Sequence, residues 1–125
     1  MPSYVLIVDD EPNIITSLKF LMKKEGYEVG VATDGEAALR AMEQRPPDLV
    51  LLDIMIPKLD GFGLLEKIRS DSALKNVRVI LLTAKGRSID QEKGIALGAD
   101  EYVTKPFSTR KLTQTVQQLL KTAIH

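Results

Sequence analysis

Between two proline signals, Pro46-Pro47 and Pro57, the chain reads Asp48-Leu49-Val50-Leu51-Leu52-Asp53: four aliphatic residues in a row, stopped by a carboxylate. An apolar run this short, bounded on both sides by turn formers, is a fully buried parallel strand. Its last residue, Asp53, is thereby delivered to the edge of a sheet. In open parallel α/β sheets the ligand crevice lies outside the carboxyl ends of the strands, so a lone acid placed there is a candidate reacting group.

The rest of the chain supplies a sheet for that strand. Tyr4-Val5-Leu6-Ile7-Val8 is an apolar, β-rich run closed by Asp9-Asp10-Glu11-Pro12, with Pro12 suited to the first turn of a helix. Ile14, Ile15, Leu18, Leu21 and Met22 recur at helical spacing before Gly26. Glu28 to Thr33 predicts a half-buried second strand with Val29 and Val31 inward. Thr33-Asp34-Gly35-Glu36 has capping-box spacing and opens a helix with inner residues Ala37, Ala38, Ala41 and Met42.

After Asp53, the Asp60-Gly61 turn leads into a short helix carrying Leu64, Leu65 and Ile68. Val77 to Leu82 is a second near-continuous aliphatic strand, tipped by Thr83-Ala84-Lys85-Gly86. Ser88-Ile89-Asp90-Gln91 again has capping-box spacing and opens a weak fourth helix through Ile95 and Leu97, interrupted by Gly94 and followed by Gly98. Glu101 to Thr104 is a short polar edge strand running into Lys105-Pro106. Ser108 caps a last helix with the inner stripe Leu112, Val116, Leu119 and Leu120. Five strands alternating with five helices predict an α/β, doubly wound parallel sheet with right-handed crossovers and helices on two faces.

At 125 residues this is one domain, 1–125, with no repeat or linker. Lys+Arg 17 against Asp+Glu 17 argues against broad electrostatic capture of nucleic acid or membrane. The absence of cysteine is compatible with any compartment. No leader is legible at the start, and no apolar run approaches the ~20 residues of a membrane helix, so the expectation is a soluble, cytoplasmic protein.

Singly, the strand-tip residues are ambiguous. Asp9-Asp10 before a helix serves either as cap and dipole partner or as a metal site. Asp53 alone fits a turn cap, Thr83 an ordinary strand residue, and Tyr102 either a half-buried edge aromatic or a moving part. Jointly, acids after the first strand, an acid after the third, a hydroxyl after the fourth and Lys-Pro after the fifth converge on one crevice.

That pattern resembles, over essentially the whole chain, the receiver domain of two-component response regulators. The resemblance rests on Val8-Asp9-Asp10-Glu11, Asp53-Ile54-Met55-Ile56-Pro57 with Asp60-Gly61, Thr83-Ala84, Gly98-Ala99-Asp100-Glu101-Tyr102, and Lys105-Pro106-Phe107. It implies strand order 2-1-3-4-5 and a phosphorylation-dependent switch rather than a turnover enzyme. It implies Asp53 as phosphoacceptor, taking its phosphoryl group from a phosphohistidine on a sensor kinase or phosphotransfer protein. Mg²⁺, or Mn²⁺ in its place, would be held by Asp10, Asp53 and the Met55 backbone carbonyl, with Asp9 beside it. Lys105, Thr83 Oγ and the Ala84 N–H would contact phosphoryl oxygens. Thr83 and Tyr102 would switch the face of the fourth helix, fifth strand and fifth helix toward a downstream protein or effector domain. The Lys105-Pro106 bond would be cis. Met55 and Lys85, two residues beyond Asp53 and Thr83, flank the path of attacking water and are expected to slow hydrolysis.

Three alternatives are weaker. An aspartate-nucleophile phosphatase normally has a second acid two residues after the nucleophile, where Met55 stands. A flavodoxin-like carrier needs an anion-binding first loop, which Asp9-Asp10-Glu11 would oppose. A degenerate receiver acting as an interaction module does not need the full site. Lys111 and Thr115 do not match the charge pattern that holds many transcription-factor receivers as dimers, which leaves dimerisation through another surface open. No groove-reading element for DNA is legible in the chain, and Met1, Met22, Met42 and His125 suggest no cofactor role.

Overall fold

The computed structural model describes residues 2–84 and 86–122. Its elements follow in strict alternation: β1 (Tyr4–Val8), α1 (Pro12–Lys24), β2 (Glu28–Ala32), α2 (Gly35–Gln44), β3 (Leu49–Asp53), α3 (Gly61–Ser70), β4 (Arg78–Ala84), α4 (Ser88–Ala96), β5 (Glu101–Lys105) and α5 (Thr109–Thr122). The strands form one parallel sheet in the order β2-β1-β3-β4-β5.

The period of two along a strand divides the core. Leu49 and Leu51 face one side of the sheet with Val5, Ile7, Ile80 and Leu82, under Leu18 and Met22 of α1 and Leu112, Val116 and Leu120 of α5. Val50 and Leu52 face the other side with Leu6, Val8, Val79 and Leu81, under Ala38 and Met42 of α2, Leu64, Leu65 and Ile68 of α3, and Ala99 beyond α4. All five residues of β3 are buried, as its unbroken apolar sequence predicts. Burying side chains of this size is worth roughly 1.5–3 kcal/mol each, so β3 is firmly seated and a rigid mount for its last residue.

Several local expectations shift. Val31 is 37% exposed because β2 is a sheet edge and α1 covers only part of it; Val29 alone packs against the α1 side. The cap of α2 is Asp34 rather than Thr33: its Oδ1 accepts from Ala37 N at 2.7 Å. Ser88 is the first residue of α4 instead of its cap; the cap position is Arg87, whose guanidinium pairs with Asp90 across the first turn at 2.9 Å. β4 runs one residue later at its start and two later at its end, so Thr83 and Ala84 belong to the strand. Ile95 is 45% exposed, leaving Gly94 as the buried residue of α4. Lys85, Met1 and His125 lie outside the described residues.

Candidate functional site

Sheet register brings the site together. Val8 pairs with Leu52, so the next residues, Asp9 and Asp53, leave neighbouring strands at the same level. On the other side Asp53 pairs with Leu82, Thr83 with Thr104, and Ala84 with Lys105. One carboxyl edge of the sheet therefore carries Asp9, Asp10, Asp53, Thr83, Ala84 and Lys105, at the place where strand order reverses between β1 and β3.

Within that edge, Asp9 is fully buried, Asp53 is 7% exposed and Thr83 2% exposed, while Asp10 faces solvent. Asp9 Oδ1 accepts from the Glu11 N–H at 2.9 Å. Asp53 Oδ1 accepts from the Met55 N–H at 3.0 Å. Lys105 Nζ donates to Asp9 Oδ2 at 3.1 Å and to Asp53 Oδ2 at 3.3 Å. The Lys105-Pro106 peptide bond is cis. Burial pushes the Asp53 carboxyl above its ordinary range; the Met55 N–H and the Lys105 charge oppose that, and Asp9 adds to it. For Lys105 burial favours the neutral form, but hydrogen bonding to Asp9 and the charges of Asp53 and Asp9 outweigh it and raise the pKa.

Asp9, Asp10 and Asp53 each offer a carboxylate oxygen, and these lie within 4.8 Å of one another. Two of the three acids are buried and share a single ammonium, so the cluster carries surplus negative charge in a partly desolvated place. An oxygen donor set of this kind fits a hard divalent cation. Met55 points outward at 78% exposure between buried Ile54 and Ile56, which puts its side chain at the mouth of the crevice and its backbone beside the acids. Tyr102 is 37% exposed and borders a cavity of about 560 Å³ lined also by Ser88, Gln91, Glu92, Ile95 and Ala96. Gln91 Nε2 donates to Thr83 Oγ1 at 3.5 Å, a contact that motif reading does not reveal. Helical spacing is the signal for it: Gln91 is three residues before the buried Gly94 and shares its face.

A 2-1-3-4-5 parallel sheet with an acid triad and a lysine at its switch point defines the class of doubly wound signalling domains. The chain belongs to that class as a response regulator receiver domain: the model of this family matches residues 5–117. It is 41% identical over 121 residues to the alkaline phosphatase synthesis transcriptional regulatory protein PhoP of Bacillus subtilis, covering 97% of this chain and 50% of that one. It is 44% identical over 117 residues to the sensory transduction protein RegX3 of Mycobacterium bovis, covering 94% and 50%. The chain thus spans about half the length of these relatives. Among solved structures, the receiver domain of the sensor histidine kinase PA1611 from Pseudomonas aeruginosa superposes with a TM-score of 0.89 at 30% identity, covering 97% of this chain and 99% of that one. That structure has a magnesium ion coordinated in its active site cleft. As a receiver domain, the chain is a phosphorylation-dependent switch of two-component signalling. Among the described residues, no helix is long and apolar enough to cross a membrane.

Proposed function

We propose that Asp53 is the phosphoacceptor, receiving a phosphoryl group from a phosphohistidine of a sensor kinase or phosphotransfer protein. The observation that carries this reading is the shared Lys105 ammonium, 3.1 Å from Asp9 and 3.3 Å from Asp53, beside a third carboxylate. A carboxylate oxygen of Asp53 forms the new bond to phosphorus as the phosphorus–nitrogen bond of the donor imidazole breaks, and the leaving nitrogen keeps the electron pair. The Met55 N–H holds one Asp53 oxygen in place. Lys105 is positioned to follow the charge from the carboxylate to a phosphoryl oxygen, and Thr83 Oγ with the Ala84 N–H complete the donors. Such transfer needs chiefly positioning and charge neutralisation.

Asp9, Asp10, Asp53 and the Met55 carbonyl would hold Mg²⁺ or Mn²⁺. When bound, the ion would neutralise the acids and the incoming phosphoryl oxygens, which otherwise repel. The exposed Met55 side chain has no proton to give or take, which supports a slow-hydrolysing regulator over a phosphatase that turns over substrates. Phosphorylation adds charge and acceptor oxygens that draw Thr83 inward. Tyr102 then moves from its exposed position, and the face of α4, β5 and α5 presents a changed surface to a downstream protein or effector domain. Moving such an equilibrium from 1:99 to 99:1 takes roughly 5.5 kcal/mol. Two charge-assisted hydrogen bonds, at roughly 1.5–3 kcal/mol each, supply most of it.

Incubation with a small acyl-phosphate donor and Mg²⁺, followed by intact-mass measurement, tests the assignment. The wild type should gain one phosphoryl group and Asp53→Asn none. An equal adduct on both, or none on the wild type, overturns it.

A further inference from the structure

We propose that Gln91 is a latch on the switch: a positioning residue that holds the Thr83 hydroxyl in its resting place and passes the hydroxyl's displacement to α4. This role rests on the reading of Thr83 as the group drawn to the phosphoryl oxygen.

Thr83 is 2% exposed, and a buried hydroxyl needs a partner; Gln91 Nε2, at 3.5 Å, provides one. The geometry behind this contact is built on both sides. Leu81 and Thr83 are two apart on β4 and so point to the same face of the sheet. Gly94 and Gln91 are three apart on α4 and share one face of the helix. Gly94 is buried directly on Leu81, where a methyl group would overlap Leu81 Cδ1. The close seat at Gly94 therefore brings Gln91, one turn nearer the helix start, over Thr83.

The two ends of α4 are held unequally. Beyond its C-terminal end, Arg69 Nε donates to Gly98 O at 2.8 Å and Arg69 Nη2 pairs with Asp100 at 2.9 Å. At its N-terminal end no side chain accepts from the helix's free backbone N–H groups, the first turn is held only by the solvent-facing Arg87–Asp90 pair at 2.9 Å, and the preceding Gly86 has a φ of 85°. A helix clamped at one end by a part-buried arginine and held at the other only by an exposed ion pair, which is worth little in water, has its freedom where Gln91 lies. Gln91 is also part of the wall of the cavity that Tyr102 borders. When Thr83 turns toward the phosphoryl group, the Gln91 amide loses its partner beside that cavity, and the weakly held first turn of α4 is free to re-pack with Tyr102.

A hydrogen bond made only in the resting state opposes activation, so removing it should favour the phosphorylated arrangement. Beryllofluoride, a stable phosphoryl mimic, is titrated with Mg²⁺ into the wild type, Gln91→Met, Gln91→Ala, Thr83→Ala and the double variant Gln91→Met/Thr83→Ala. The Tyr102 ring signals are followed by NMR. Both single Gln91 variants should bind the mimic more tightly by roughly two- to tenfold, the range of one net hydrogen bond. Their mimic-free Tyr102 signals should shift toward the bound position. In the Thr83→Ala background the Gln91→Met change should alter affinity by less than about twofold. Unchanged or weaker binding by both Gln91 variants, or an equal gain with and without Thr83, overturns the latch. A wild type that takes up no mimic overturns instead the phosphoacceptor reading beneath it.

Discussion

Lys105 Nζ lies 3.3 Å from Asp53 Oδ2 while also bound to Asp9, so Asp53 has only part of a positive charge to itself. Burial and the neighbouring Asp9 leave its pKa raised. A carboxyl with a raised folded-state pKa favours the folded state when protonated; that benefit fades as pH rises through the folded value, and at neutral pH the ionised form costs stability. Asp53→Asn should therefore raise Tm in metal-free buffer at pH 7, by roughly 2–8 °C if the gain is about 1 kcal/mol. The advantage should shrink as pH falls through the range where Asp53 titrates. A lower Tm for the variant would contradict the strain assigned to this carboxylate.

Mg²⁺ should reverse that order. A ligand at a hundredfold its Kd stabilises by about 2.7 kcal/mol, and the acids within 4.8 Å of one another are the group it relieves. Thermal melts at increasing Mg²⁺ should raise the wild-type Tm while Asp10→Asn and Asp53→Asn respond weakly. Equal responses in all three would place the metal elsewhere.

Asp34 caps α2 and its carboxyl is held below its ordinary range, chiefly by the Ala37 N–H and further by Lys58 and Arg40. The sign is opposite to that of Asp53: the stability it contributes is present above the unfolded pKa and is lost as pH falls through the lowered folded value. Asp34→Asn, which keeps a capping oxygen but does not titrate, should flatten the acid limb of a stability-pH curve measured by urea unfolding below pH 5. An unchanged acid limb would rule the contribution out.

Gly35 approaches the β3–α3 loop so closely that a methyl group would overlap Leu59 O, and its N–H donates to Pro57 O at 3.2 Å. A backbone carbonyl cannot swing aside as a side-chain end can, so Gly35→Ala must push the loop that carries Met55. The expected cost is about 1–3 kcal/mol by urea midpoint. Acyl-phosphate labelling of Asp53 should slow in parallel. Full stability and full labelling rate together would show that the loop and α2 are not coupled.

Lys58, in the same loop, has a φ of 69°, a conformation that costs a non-glycine residue about 1–2 kcal/mol. Lys58→Gly removes that strain, adds unfolded-state entropy of roughly 0.4–1 kcal/mol, and gives up an ion pair with Asp34 at 3.8 Å whose lysine end is exposed. The net change should be a gain of about 0.5 kcal/mol, read as a higher urea midpoint with an unchanged slope. A lower midpoint would mean that the Asp34 pair outweighs the strain.

The alternation of apolar runs with helical stripes was enough to determine the five strands, the five helices and the residues at the strand tips, because each depends on neighbours within a few positions. Asp53 at the end of β3 is the clearest case: four buried aliphatics leave it nowhere to go but the edge. What depends on contacts across the fold was decided by tertiary structure. The capping spacings of Thr33 and Ser88 gave way to Asp34 and to the Arg87–Asp90 pair, because helix starts shift by a residue to suit packing. Val31 has strand periodicity but lies exposed because β2 is an edge, a fact of strand order. The sharing of Lys105 between Asp9 and Asp53 joins residues 96 and 52 positions apart, and only sheet register brings them together. Gln91 reaches Thr83 through another tertiary contact, the packing of helix on sheet: a glycine three residues away lets α4 sit directly on the strand.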